Sequence, residues 1–216
     1  VICHVFVGPT AFGLPNRLLV RPDLVIHGPA ARGDIRALGG TLSRGAAVAL
    51  IDGRFGDVPS VAHWEILEML DAGVRVFGLS SMGAIRAAEL QRYGMTPYGS
   101  VAQRFVDDPD LPDDEVMMLH SPRPPYAPIS EPLVHLREGA RHLVAREILS
   151  DEQAARIIGD LRERWFGERT WETLIDSAAQ QGIDRSALLR ALGDPQRYRV
   201  KSRDLENFLH DEPWAS

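Results

Sequence analysis

At 216 residues, with 44% apolar and 25% charged side chains, the chain has enough apolar content to bury a core, which excludes a disordered protein. A formal net charge of −6 excludes a general nucleic-acid binder, because phosphate contacts need clustered cations. The single cysteine, Cys3, excludes an intrachain disulfide framework and a cysteine metal cluster. There is no apolar run of about 18 residues to span a membrane, and no signal-peptide pattern, so a cytoplasmic protein is expected.

In chain order, Ile2–Val7 reads as a buried strand ending at Gly8-Pro9-Thr10, with Cys3 as a small core residue. Leu24–Ile26 is a second strand, residues 32–43 a helix, and Ala46–Ile51 a strand closed by Asp52-Gly53. Val61, Trp64, Ile66, Leu67 and Leu70 have helical spacing within residues 59–72. A strand at Val74–Gly78 and a helix at Met82–Tyr93 follow, then a strand at Val116–Leu119. Five prolines between 121 and 132 make a stiff loop. Beyond it Glu131–Ala145, Ser150–Trp165, Thr170–Gln181 and Ser186–Leu192 read as helices, with Ser150 or Asp151, and Asp184, as N-caps.

Strands alternating with helices, the strands continuously apolar, predict an α/β fold. Its mostly parallel sheet is covered by helices, and residues 146–216 follow as a helical C-terminal extension of a 1–145 core. In such sheets function collects beyond the carboxyl ends of the strands. Those ends carry Gly8-Pro9-Thr10, Asp52-Gly53 and Gly78-Leu79-Ser80-Ser81.

The strongest chemical signal is Val76-Phe77-Gly78-Leu79-Ser80-Ser81-Met82-Gly83-Ala84, a strand, a small-residue turn and a helix. A serine there sits beside helix N-terminal N–H groups able to hold an oxyanion. The spacing Gly78-x-Ser80-x-x-Gly83 misses the G-x-S-x-G elbow by one residue. Ser81-Met82-Gly83-Ala84 resembles the nucleophile segment of the caseinolytic serine proteases, which favours Ser81 over Ser80, with Met82 N–H as an oxyanion donor. The plain alternative is a serine N-cap.

A serine hydroxyl needs an activating base. His4, His27, His63, His120 and His135 are candidates, with His63, after Ser60, and His120, at a strand end, able to sit over the cleft. Lys201 is another: of 24 basic residues it is the only lysine, and lysine, unlike arginine, can act as a neutral amine when desolvated. No metal-binding histidine spacing is present. The acids Asp107, Asp108, Asp110, Asp113, Asp114 and Glu115 read as a solvated loop, and Gly8-Pro9-Thr10 as a possible phosphate cradle without a Walker pattern.

An ordered set of segments resembles the TfuA family. It comprises Phe6-Val7-Gly8-Pro9-Thr10, Gly28-Pro29-Ala30 with Gly33-Asp34, Ile51-Asp52-Gly53-Arg54-Phe55, and Pro59 through Leu67. It continues with Gly73 through Leu90, Tyr93-Gly94-Met95, Asp113-Asp114-Glu115-Val116 and Ser130-Glu131-Pro132. The resemblance implies an α/β protein with a serine–lysine hydrolase-type site, needing no cofactor or metal. It would release sulfide from the thiocarboxylate of a ThiS-like sulfur carrier and assist a YcaO enzyme, with its precursor peptide, in backbone thioamidation. Carried onto this chain, the pair is Ser81 and Lys201, the lysine supplied by the extension. Met82 N–H, with an amide of Gly8–Thr10 or Gly53, would hold the oxyanion. Ser80, Gly83, Asp52, His63 and Arg86 would line the site, with Arg86 either offering charge to the thioacid or simply pairing with Glu89. The alternatives are a non-catalytic adaptor that gathers YcaO, peptide and sulfur donor, and a phosphate- or small-molecule-binding α/β module.

Overall fold

Five short apolar runs assemble into one sheet in the computed structural model, which describes residues 1–54, 56 and 58–215. They are β1 (Cys3–Phe6), β2 (Leu24–His27), β3 (Ala47–Leu50), β4 (Arg75–Leu79) and β5 (Thr96–Tyr98). All neighbours pair parallel, in the order β2-β1-β3-β4-β5. This is the flavodoxin-type doubly wound order, whose topological switch point lies between β1 and β3. Phe55, which belongs to one of the quoted segments, lies outside the described residues.

The helices α1 (Asp34–Gly39), α2 (His63–Asp71), α3 (Met82–Leu90) and α4 (Gly99–Asp107) follow successive strands from β2 onward. Four more helices form a separate helical part: α5 (Leu133–Ala145), α6 (Asp151–Glu163), α7 (Trp171–Gln180) and α8 (Arg185–Leu192). The last, α9, is Val200–Asp211. The chain divides into two compact units. The first holds residues 1–113, 123–126 and everything from Lys201 onward; the second holds 114–122 and 127–200. The division expected near residue 145 thus falls inside the second unit, and the residues after 200 return to the first.

Side-chain alternation along each strand explains why they return. Cys3, Val5, Ala47, Ala49, Ile51, Phe77 and Leu79 lie in one buried cluster. That cluster is completed by Leu205, Phe208, Leu209 and Trp214 from α9 and the tail. Phe6, Val48, Leu50 and Val76 belong to the opposite face, packed with Ile35, Ile66, Met69 and Met82 of α1 to α3. No α-helix joins β1 to β2, only two short 3-10 turns. The face such a crossover helix would cover is therefore closed by α9. Cys3 is fully buried, as its apolar neighbours predict, and burial pushes its thiol up to about 12.

Two local readings are corrected. Val116–Leu119 is not a strand: it follows a 3-10 turn at Asp113–Glu115 and leads to one isolated antiparallel bridge, His120 to Pro128. The fifth strand is Thr96–Tyr98, hidden by its three-residue length and by Pro97, which an edge strand tolerates. Of the acids read as a solvated loop, Asp107, Asp108, Asp110 and Asp113 are exposed, but Asp114 and Glu115 are not simply solvated. Glu115 is buried against Arg137, two bonds at 2.6 and 3.0 Å engaging both its oxygens, and Asp114 receives Arg169 at 2.6 Å.

In the second unit, Leu133, Leu136, Leu143, Ile157, Leu161, Leu174 and Leu188 form the core of α5 to α8. Ser150 accepts from Gln153 N–H and Asp184 from Ala187 N–H, the caps the sequence predicts.

Candidate active site

Strand β4 delivers the chain into a tight turn at its carboxyl end. Ser80 has φ 63°, a left-handed backbone unusual for a residue with a side chain. Its hydroxyl donates to the Lys201 carbonyl at 2.9 Å, and the residue is fully buried. Ser81 follows as the residue before α3 and is 3% exposed. The turn fits because two glycines permit backbone contact. A Cβ on Gly83 would lie 1.7 Å from the Leu50 carbonyl oxygen, and one on Gly78 would lie 2.1 Å from Gly83 O. The Gly83 N–H donates to Ile51 O at 3.1 Å, so α3 is bolted to the end of β3. The N–H groups of Ala84 and Ile85 turn back to Ser81 O. Met82 N–H opens the helix, in a position with no intrahelical acceptor.

At the switch point itself stands Asp52, 2% exposed. Its carboxylate accepts Gly8 N–H at 2.8 Å, Thr10 N–H at 3.0 Å and the Thr10 hydroxyl at 2.6 Å. The amides of Gly8 and Thr10 are therefore spent on Asp52. They form neither an oxyanion hole nor an open phosphate cradle, because a buried carboxylate must be satisfied first. Gly8 packs on Pro29, and Gly53 lies against Met82, where an added Cβ would meet the sulfur at 2.1 Å.

Helix α9 brings its first turn to the same place. Lys201 is 1% exposed, and its ammonium nitrogen lies 4.0 Å from Asp52 Oδ1. Three side-chain hydrogen bonds set the helix there. Ser80 holds Lys201 O, Ser202 donates to Thr10 O at 2.7 Å, and Asp204 accepts Val101 N–H at 2.8 Å at the start of α4. The structure thus gathers Gly8, Thr10, Asp52, Ser80, Ser81, Met82, Gly83 and Lys201 around the carboxyl ends of β1, β3 and β4. The contact sequence reasoning missed is the one between Asp52 and Lys201. A lone aspartate closing an apolar strand was its only signal.

His63 and Arg86 are used differently. His63 Nε2 lies 2.8 Å from Glu89 Oε2, and the Arg86 guanidinium lies 2.6 Å from the same oxygen while also donating to Val61 O. Arg86 thus pairs with Glu89, the plain alternative offered for it, on the exposed side of α3. Glu65, also buried, accepts Ala62 N–H and Gly33 N–H and ties the start of α2 to that of α1. A cleft of about 470 Å³ beyond β1 and β2 is lined by Phe6, His27, Gly28, Pro29, Asp34 and Leu38, with neither Ser81 nor Lys201 in its wall among the described residues. His27 in that wall stacks on Phe6 and lies 3.0 Å from His4; burial lowers the pKa of both imidazoles. Among the described residues no group of three His, Cys, Asp or Glu is placed to hold a metal ion, and no helix is long and apolar enough to cross a membrane.

Residues 52–170, more than half of the chain, match the family model described as TfuA-like protein. The chain belongs to the TfuA-like family. Membership places it in the setting of YcaO-associated thioamidation. The matched span opens at Asp52 and contains the Ser80–Ser81 turn; Gly8–Thr10 and Lys201 lie outside it. No curated protein matches the chain.

Proposed function

We propose that this TfuA-like chain is a hydrolase that frees sulfide from the C-terminal thiocarboxylate of a ThiS-like sulfur carrier, supplying a YcaO enzyme that thioamidates a precursor peptide. Ser81 is the nucleophile, Lys201 manages its proton, and Met82 N–H donates to the developing oxyanion. One observation carries this reading. The only lysine of the chain is buried against the serine turn at the switch point of the sheet, with Ser80 spent on clamping its backbone. A merely decorative surface cation would not be drawn into the protein interior, since burying an ammonium costs several kcal/mol, roughly, unless it is paired. The Ser80 clamp also separates the roles of the two serines. Ser80 fixes the lysine, and Ser81, one residue on at the mouth of α3, is left to attack.

The test is Ser81→Ala, assayed for sulfide release from a thiocarboxylated carrier and for binding to the YcaO partner. The expected result is a loss of at least about a thousandfold in sulfide release, with partner binding and thermal midpoint kept. Release at the wild-type rate would remove Ser81 from the chemistry. Full support of thioamidation by that variant would instead identify an adaptor.

A further inference from the structure

Asp52 stands 4.0 Å from the Lys201 amine at the switch point of the sheet. We propose that Asp52 determines specificity: it keeps Lys201 an ammonium, so that the site accepts an anionic thiocarboxylate and rejects neutral esters and thioesters. The inference rests on the hydrolase reading for its substrate arm only.

The geometry supplies the reason. Lys201 and Asp52 are both buried, 4.0 Å apart, so each is the other's counter-charge in a region from which water is excluded. Burial alone favours a neutral amine; an adjacent carboxylate favours the charged one. Three donors from Gly8 and Thr10 point at the Asp52 oxygens and fix the carboxylate in place beside the amine. From the other elements packed there, the ends of β1 and β4 bring Gly8, Thr10, Ser80 and Ser81, which carry no charge. Asp204, the next acid along α9, is turned to Val101 and Ser100.

A charged lysine suits one class of substrate. A thiocarboxylate brings its own negative charge, and its sulfur leaves poorly unless protonated. Ser81 Oγ attacks the carbonyl carbon, and the C–S bond breaks with its electron pair on sulfur. Lys201 gives a proton to the sulfur and takes the Ser81 proton, so hydrosulfide leaves and Lys201 ends as it began. The carrier is now an ester of Ser81. Water hydrolyses that ester to the carrier carboxylate and one proton, restoring the serine. A neutral ester or thioester brings no charge to pair with the buried ammonium, so the same pairing favours the anionic substrate over it.

The chain's single lysine makes the test direct. Protein grown with 13C-labelled lysine gives one lysine side-chain resonance set, whose titration reports Lys201 in the wild type and in Asp52→Asn. In the wild type the amine should stay charged well into the alkaline range, as an ordinary lysine does. In Asp52→Asn its midpoint should fall by at least about one pH unit, since an unpaired buried amine loses its proton. A wild-type midpoint below about pH 8 would overturn the proposal, and this result needs no variant to fold. An unchanged midpoint in folded Asp52→Asn would overturn it as well. In the activity arm, the ratio of thiocarboxylate to neutral thioester hydrolysis should drop roughly tenfold or more in the variant, with its pH–rate profile moved towards acid. An unchanged ratio in an active variant counts against the proposal. Failure of the wild type to release sulfide would fault the hydrolase reading alone, because the lysine titration is read without substrate.

Discussion

Gly83→Ala should leave the protein unfolded or insoluble. The added methyl would sit 1.7 Å from the carbonyl oxygen of Leu50 and 2.5 Å from its carbon, both backbone atoms at the carboxyl end of the interior strand β3. No rotamer change relieves a clash between two backbones. Strand β3 is paired on both edges, so it has nowhere to move. Shifting α3 away would break the Gly83 N–H bond to Ile51 O and displace the serine turn with it. The cost should exceed about 4 kcal/mol, a large part of the total stability of a domain this size. Gly159→Ala is the control. That glycine lies inside α6 with nothing within 4 Å of an added Cβ. It should be neutral or gain roughly 0.5–1 kcal/mol from helix propensity. Soluble yield and thermal midpoint of the two variants, measured side by side, check the contrast.

Arg169→Met should collapse the helical unit. The Arg169 side chain is 1% exposed, and its guanidinium donates to four carbonyls, those of Leu161, Arg162, Arg164 and Asp114, and to the Asp114 carboxylate. The residue closes the loop between α6 and α7, and its own carbonyl accepts Glu131 N–H ahead of α5. Methionine fills similar volume but offers no donor. It would leave buried carbonyls unsatisfied and the Asp114 charge unpaired. The loss should be about 3–5 kcal/mol. Arg169→Lys should recover only part of it, because an ammonium has three donors and cannot reproduce a planar fork. Hydrogen exchange is the measurement of choice. Protection should fall in α5 to α8, and equal loss of protection in β1, β3 and β4 would show that the effect is not local.

The central strands and α3 were legible in the sequence because each apolar run is bounded by residues that stop it. Gly8-Pro9 ends β1, Asp52-Gly53 follows β3, and Gly78 to Ser81 carries β4 into α3. The serine turn was legible for the same reason. Strand β5 was not, since three residues with a central proline carry no period. Glu115 and Asp114 were misread because charge in sequence looks solvated until its partner is known. The partners, Arg137 and Arg169, lie 22 and 55 residues away.

The place of Lys201 depended on tertiary docking. Composition marked it out, and the resemblance paired it with Ser81. What carries it to the sheet is the apolar stripe Leu205, Phe208 and Leu209 with Trp214, a helical period that filled the face left open between β1 and β2. Read against the absence of a crossover helix between those strands, that stripe was the available signal. The role of Asp52 was the least legible. A buried carboxylate is recognised by the donors around it, and Gly8 and Thr10 precede it by more than 40 residues.

The claim on which the functional account depends is that Ser81 forms the covalent intermediate. Wild-type protein turning over a thiocarboxylated carrier should be acid-quenched at early times and examined by mass spectrometry after digestion. The account predicts an ester between the carrier C-terminus and Ser81, absent from Ser81→Ala and from Lys201→Met. An ester carried by Ser80, or sulfide released at full rate by Ser81→Ala, would contradict it.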